Sequence, residues 1–348
     1  MDRMGKTADR GRCLRSGGPS RGCAAHRPFV PERRWTGGAR PGRVGRGRRL
    51  SRRTFRAADG GGTGLDAPLA LVARGPGVPV GVDVGGGRLD LRRARFSGTG
   101  ETGEGGPMRV VLDRLQVTES LALTGFEGQF QSEGGLGGAF TAKVNGGPRV
   151  SGMLVPEAGR TGVRITAEDA GAVLRAAELL PNAASGRLDL VLQPTGGEGT
   201  FDGTLRLEDL RIRDAPAVAA LLDAISVVGL LQQLDGQGLA FTEIDAQFRM
   251  TPEQIVVTQS SAIGPSLGVS LDGTYTHASQ AMDFQGVVSP LYLLNGIGSF
   301  LTRPGEGLIG FSFGIAGPVG APQVSVNPLS VLTPGMFRDI FRRPPPEL

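Results

Sequence analysis

Two alternating stretches near the end of the chain decide its fold: Leu271-Asp272-Gly273-Thr274-Tyr275 and Met282-Asp283-Phe284-Gln285-Gly286-Val287-Val288-Ser289-Pro290. Apolar and polar residues alternate in both, which is typical of β-strands with one covered face. After Ser289-Pro290 comes the apolar run Leu291-Tyr292-Leu293-Leu294-Asn295-Gly296. This order predicts a strand, a Ser-Pro helix start and a short apolar helix.

The same alternation begins near residue 65 and runs through the body of the chain. Gaps between the alternating segments are often short and rich in glycine and proline, which favours antiparallel meanders over βαβ units. The clearest segments are Arg88–Arg92, Arg109–Val117, Ser120–Thr124, Gly162–Thr166 and Arg187–Gln193.

Two strand segments carry candidate apolar stripes. In Leu239–Met250 the alternation slips near Thr242-Glu243, which predicts a β-bulge that brings both halves into phase. A weak repeat, Phe201-Asp202-Gly203-Thr204 and Leu271-Asp272-Gly273-Thr274, is consistent with a sheet extended by similar units. The residues expected on one half-buried face are Phe241, Ile244 and Phe248, with an equivalent stripe of Leu188, Leu190 and Leu192.

Four short helices are predicted, near residues 168–180, 215–234, 290–302 and 334–343. Thr166-Ala167-Glu168-Asp169 resembles a capping box for the first helix, and Gly236 is a stop signal for the second. The last helix has an apolar face and three arginines, which allow a membrane-surface or partner contact. A cap over the open end of the sheet is the favoured alternative, because the helix has only about two turns. The apolar face consists of Met336, Phe337, Ile340 and Phe341.

Composition agrees with an open β structure. Glycine contributes 58 of 348 residues and aromatic residues only 5%, so the core must be thin. The two cysteines, Cys13 and Cys23, precede the alternating body, which leaves the body without a disulfide framework or a cysteine metal site.

Residues 1–64 differ from everything after them. They hold 17 of the 38 Lys+Arg and 4 of the 33 Asp+Glu, so their charge is 17 − 4 = +13, whereas residues 65–348 carry 21 − 29 = −8. Such an Arg/Gly/Pro-rich segment buries too little apolar surface to order itself, so we expect disorder. A mis-translated start is the favoured origin, ahead of an ordinary disordered tail and an arm that binds nucleic acid.

The sequence contains partial matches to catalytic motifs, but the residues around each match do not fit the structure that the motif requires. Gly264-Pro265-Ser266-Leu267-Gly268 matches the G-x-S-x-G pattern, but a strand and not a helix is expected after Ser266. Gly5-Lys6-Thr7 has no room for the first glycine of a P-loop, and two histidines cannot build a histidine zinc site. We therefore expect no enzyme, no catalytic residue, no cofactor, no metal and no nucleic-acid partner.

Residues 165–345 resemble the C-terminal region of the AsmA-like envelope proteins of Gram-negative bacteria, which include the YhdP-type members. The resemblance is strongest in Asp214–Leu234, Leu271–Asn295 and Asn327–Phe341; residues 65–164 fit only as generic β sequence. It implies a mainly β fold, an elongated antiparallel sheet curled into a groove with a few short capping helices. It also implies a periplasmic location with inner-membrane association, although the chain has no visible anchor or signal peptide.

Two functions follow from the resemblance. The first is a module, residues 65–348, that binds or conducts phospholipid acyl chains and supports outer-membrane biogenesis. The second is a structural or regulatory scaffold for outer-membrane assembly without lipid cargo, with membrane or envelope proteins as partners. An apolar strip open to solvent would favour the first, and a closed core the second.

Overall fold

A computed structural model describes residues 64–92, 105–132, 135–157, 160–197, 199–213, 216–225, 228–290, 310–327, 329–330, 343–344 and 346. Predicted disorder in residues 1–64 lies outside this range except at Gly64. The predicted helix near 334–343 and its face of Met336, Phe337, Ile340 and Phe341 also lie outside it, apart from Arg343.

The described residues form eighteen strands and three helices. The strands are β1 (Leu65–Asp66), β2 (Leu69–Val72), β3 (Gly81–Gly85), β4 (Arg88–Asp90), β5 (Gly105–Gln116), β6 (Ala122–Ser132), β7 (Leu136–Val144), β8 (Arg149–Glu157), β9 (Arg160–Ala167), β10 (Ala183–Ala184), β11 (Arg187–Pro194), β12 (Phe201–Ile212), β13 (Leu239–Met250), β14 (Gln254–Ile263), β15 (Leu267–Thr276), β16 (Ala281–Pro290), β17 (Phe311–Pro318) and β18 (Gln323–Asn327). The helices are α1 (Ala170–Ala176), α2 (Pro216–Ala224) and α3 (Val228–Asp235).

All eighteen strands belong to one open, curled sheet, and the predicted mainly antiparallel β fold is confirmed. From β5 to β9 and from β11 to β18 each strand pairs antiparallel with its neighbour in sequence. β9 pairs with β11, which joins the two series, and β10 adds to the end of β12. At the N-terminal edge β3 and β4 run parallel to β5, while β2 pairs with β3 and β1 with β4. These two parallel pairings depart from the predicted meander.

The predicted bulge near Thr242-Glu243 is wrong as a change of register. The ladder between β12 and β13 keeps one register on both sides of Thr242, because Asp209 on β12 is irregular at the same place, with φ +55°. Both strands therefore switch face together, and the buried pair Leu210–Phe241 lies on the same face as the pair Leu207–Ile244. The register shift of β13 lies instead at Gln247/Phe248, against β14.

Helix α1 begins at Ala170, but its N-cap is not the first residue of the predicted capping box. Asp169 is the N-cap, and its Oδ1 accepts the Ala172 N–H at 2.8 Å, while Thr166 belongs to β9. The second predicted helix is two helices, α2 and α3; the second of these ends at Asp235, directly before Gly236. Ser289 and Pro290 belong to β16, so they do not open a helix within the described range, and the segment predicted to be helical after Pro290 lies outside it.

We expect Asp169→Ala to reduce stability by about 1 kcal/mol, since the substitution removes the side-chain acceptor of the first helical turn. The urea midpoint measures this change. Glu168→Ala is the matched control, because Glu168 is an exposed neighbouring acid that is not the cap. Equal losses in both variants would contradict the capping role.

Arg343 anchors the end of the chain to the face of β16 that carries Asp283 and Gln285. Its guanidinium donates to the two Asp283 carboxylate oxygens at 3.0 and 2.8 Å. The Gln285 amide accepts the Arg343 N–H at 3.2 Å and donates to the Arg343 carbonyl at 2.8 Å. The side chain of Gln285 thus pairs with Arg343 as a backbone amide would.

Anchoring by Arg343 should depend on pH. Hydrogen bonding from the Arg343 guanidinium lowers the pKa of Asp283 below the ordinary value of an aspartate. A lowered folded-state pKa stabilises the native contact above the unfolded-state pKa, and this stabilisation is lost as pH falls through the folded-state value. Because the Asp283 side chain is 55% exposed, the effect should be under about 1 kcal/mol and screened by salt.

The measurement is the hydrogen-exchange protection factor of the Arg343 amide between pH 3 and 7. Protection should fall on acidification in the wild-type protein and be uniformly lower in Asp283→Asn. Asp189→Asn removes a similar ion pair with Arg164 on distant strands and should leave Arg343 unchanged. Protection that is independent of pH in the wild-type protein would contradict the assignment.

Candidate functional site

The strand register places apolar residues in two continuous rows on one face of the sheet. Directly opposite residues on paired strands point to the same face, so a row can be followed from strand to strand. The first row is Leu71, Val82, Met108, Phe130, Gly138, Leu154, Val163, Leu192, Gly203, Phe248, Val257, Gly273, Phe284, Ile315 and Val324. The second row is Leu69, Val84, Val110, Gly128, Phe140, Gly152, Ile165, Leu190, Leu205, Ala246, Ser260, Leu271, Gly286, Phe313 and Val326.

We call this surface the apolar face. Of the thirty residues in its two rows only Ser260 is polar, and its hydroxyl donates to the Leu271 carbonyl at 2.7 Å. None of the thirty is charged. The two rows cross fifteen strands, so the apolar face is about 67 Å long when measured along the sheet at about 4.8 Å per strand.

Side chains are buried more deeply on one side of the apolar face than on the other. Beside the second row, on the side of the helices, Leu112, Val150, Leu188 and Leu207 are buried in a cluster that includes Leu174 of α1. Farther along the sheet, Leu221 and Leu222 of α2 pack with residues of β13, β15, β16 and β17. The first row is less covered. From β8 to β18 its large side chains are all half-buried: Leu154, Val163, Leu192, Phe248, Val257, Phe284, Ile315 and Val324.

Phenylalanine rings lie over glycines of the neighbouring strand along both rows. A Cβ added to Gly152 would stand 2.0 Å from Phe140 Cζ, and one added to Gly203 would stand 2.2 Å from Phe248 Cζ. Glycine thus leaves room for the ring to lie flat, an arrangement that also protects a strand glycine. The opposed pairs are Phe130–Gly138, Phe140–Gly152, Gly203–Phe248, Gly273–Phe284 and Gly286–Phe313.

All six predicted stripe residues lie on the apolar face. Leu188, Leu190 and Leu192 alternate along β11, and their opposite residues on β12 face Ile244, Ala246 and Phe248 of β13. Leu190, Leu192, Ile244 and Phe248 are half-buried, as expected. Leu188 and Phe241 are only 7% and 5% exposed, because they belong to the clusters beneath α1 and α2. The expectation of a half-buried position is therefore wrong for these two.

The glycines of the apolar face were missed at the sequence level, although the weak repeat contained their signal. Gly203 and Gly273 stand at the same position of the two repeats, and both lie in the first row opposite a phenylalanine. The preceding aspartates face the other way, where Asp202 pairs with Arg249 and Asp272 accepts from Gln285. The repeat therefore encodes a strand with a flat apolar side and a polar side.

Charged side chains occupy the opposite surface, which we call the polar face. Arg206 contacts Asp245 at 2.9 Å and Glu243 at 3.4 Å, and Arg164 contacts Asp189 at 2.5 Å. Repulsion by the Asp245 carboxylate, with some burial, raises the pKa of Glu243 above its ordinary value. Exposed pairs of this kind contribute little stability, so their main effect is to keep this part of the polar face in water. On β15 and β16 the same face is covered, because Asp272, Val287 and Ser289 are buried there.

The rejected hydrolase motif lies in a hairpin. Gly264 donates its N–H to the Leu267 carbonyl at 2.9 Å, and β15 begins at Leu267, so a strand follows Ser266 as predicted. No group of three or more His, Cys, Asp or Glu side chains suited to a metal ion occurs in the described part of the chain.

Within the described ranges no helix is both long and apolar enough to span a bilayer. Comparison of the chain with models of known protein families, with curated proteins and with solved structures found no match.

Proposed function

We propose that this chain is a non-enzymatic module that binds or conducts phospholipid acyl chains along its apolar face and supports outer-membrane biogenesis from the periplasm. The observation that carries the proposal is the pair of apolar rows across fifteen strands, interrupted only by Ser260, with the large side chains of the first row half-buried from Leu154 to Val324. The periplasmic location rests on the resemblance to the AsmA-like envelope proteins alone.

An uncharged strip of this length favours a long flexible hydrocarbon over a compact polar ligand. Polar or charged ligand atoms placed there would lose water without gaining a partner, since Ser260 is the only polar side chain in the two rows. Each methylene of an acyl chain gains about 0.8 kcal/mol when it leaves water. A chain lying across a few strands therefore gains enough to be held, and it can slide because no single contact is dominant.

The flat phenylalanine–glycine pairs support the same proposal. A phenylalanine ring that lies flat on the glycine of the next strand presents its face to the ligand. No side chain then protrudes between that strand and its neighbour. An acyl chain can then follow the first row past Phe248 and Phe284 without a barrier from upright side chains.

The decisive test places a charge on each side of one strand. Phe248→Asp should strongly reduce the phospholipid that co-purifies from a Gram-negative host, because a carboxylate on the apolar face would have to be desolvated. Gln247→Asp is the matched control, since Gln247 is the exposed neighbour that points to the polar face. Lipid is measured by mass spectrometry of extracts, and circular dichroism checks that both variants keep their β spectrum.

A photo-crosslinker gives an independent readout. At position 248 it should capture phospholipid from vesicles of phosphatidylethanolamine and phosphatidylglycerol, whereas at position 247 it should not. If neither position captures lipid, and both aspartate variants match the wild-type protein, the lipid proposal fails. The scaffold function is then the better one, and the packed clusters under α1 and α2 would be its core.

A further inference from the structure

The N-terminal edge of the sheet is unusually apolar and exposed. Only nine large apolar side chains of the described residues are exposed, and four of them lie between residues 71 and 80. These four are Leu71, Val72, Val78 and Val80, which are 49%, 46%, 42% and 45% exposed. Leu71 and Val72 belong to β2, which has β3 as its only described partner, so one side of β2 is a free strand edge.

This edge lacks the features with which proteins usually protect an exposed strand, such as charges or a proline that removes an outward donor. Over residues 67–73 no side chain is charged. Pro68 does not protect the edge, because its carbonyl accepts the Gly85 N–H at 3.1 Å, which places residue 68 at an inward position. Antiparallel ladders alternate, so the N–H and C=O groups of Leu69 and Leu71 in β2 point away from the sheet.

The side chains of the edge are complementary to themselves. When two copies of residues 66–72 pair antiparallel about Leu69, Leu69 faces Leu69 and Ala67 faces Leu71 on the apolar face. On the polar face Pro68 faces Ala70 and Asp66 faces Val72, so no like charges meet. A two-fold axis normal to the sheet also keeps apolar face with apolar face and joins the second row of one copy, through Leu69, to that of the other.

We infer that β1 and β2 form an isologous interface in which two copies of this chain pair edge to edge, giving one sheet of double width with a continuous apolar face. The opposite edge is less suited to the same role. β18 carries the polar side chains Gln323, Ser325 and Asn327 and is already held by contacts with α2. The inference does not depend on lipid binding, because it rests on the edge and its backbone groups.

Disulfide trapping in the full chain tests the interface, in a Cys13→Ser/Cys23→Ser background. Leu69→Cys should give a covalent dimer on mild oxidation, since the residue faces its own copy. Leu71→Cys should give little, because it faces position 67, whereas Ala67→Cys/Leu71→Cys together should restore the crosslink. Val324→Cys on the far edge is the negative control and should give none.

Light scattering after gel filtration supplies a second readout without cysteines. The wild-type protein should shift from monomer to dimer mass with rising concentration, and Leu71→Pro, which removes an outward N–H, should remain monomeric with an unchanged β spectrum. If Leu71→Pro does not fold, Leu69→Cys still decides the question. A strictly monomeric wild-type protein, a Leu69→Cys variant that does not crosslink, or preferential crosslinking at Val324→Cys would each overturn the inference.

Discussion

Gly152→Ala is expected to destabilise the protein by about 1–3 kcal/mol, the usual range for an overpacked site. The added methyl would stand 2.0, 2.2 and 2.6 Å from three ring atoms of Phe140. That ring cannot withdraw easily, because it is only 8% exposed and lies against the Phe126 ring with centroids 4.9 Å apart. Thermal and urea midpoints measure the loss.

Two further alanine substitutions separate packing from the loss of glycine itself. Gly85→Ala adds the same methyl in a strand where nothing lies within 4 Å, so it should be neutral or slightly stabilising. Gly203→Ala should destabilise less than Gly152→Ala, because the half-buried Phe248 ring can swing away from the sheet. If lipid binds as proposed, Gly203→Ala should nevertheless reduce lipid retention. Equal stability of Gly152→Ala and Gly85→Ala would contradict the ring-on-glycine packing.

Leu222→Ala is expected to cost about 2–5 kcal/mol, the range for a buried leucine that leaves a cavity. Leu222 of α2 is 0% exposed and packs in one cluster with Phe241, Leu267 and Val288. Because α2 also contacts β18, the loss should spread to the C-terminal strands, which hydrogen exchange of β17 and β18 can report.

Leu179→Ala is the matched control, since the same truncation at a leucine that is 71% exposed should change stability by no more than about 0.5 kcal/mol. A Leu222→Ala variant as stable as Leu179→Ala would show that α2 does not brace the sheet.

The strand class of the fold was predictable because period-two alternation is a local property. Leu188, Leu190 and Leu192 follow from the same property, and Phe241, Ile244 and Phe248 follow from it once the change of phase near Thr242 is included. The structure places all six on the apolar face. How deeply each of these side chains is buried was not predictable. Leu188 and Phe241 are buried by helices whose position over the sheet depends on contacts between distant segments.

Features that depend on how two strands pair could not be predicted from the sequence. A single strand shows the change of phase near Thr242, but not that Asp209 on the partner strand changes phase with it and preserves the register. Aspartate tolerates the left-handed conformation better than most residues, which is a weak signal on its own. Likewise Gly203 and Phe248 are forty-five positions apart, so the sequence around one residue does not indicate that it pairs with the other.

Strand pairing between sequence neighbours gives this sheet an almost one-dimensional organisation. Such a chain resembles a solenoid energetically, since each hairpin depends mainly on the next one, and folding can nucleate at several places. Whole hairpins can be gained or lost at an end with little effect on the middle, and the ends open first. Helix α2 breaks this rule, because it follows β12 in sequence and yet touches β18. It therefore makes the six strands from β13 to β18 a cooperative block, whereas the strands from β5 to β12 share the cluster that contains Leu174 of α1.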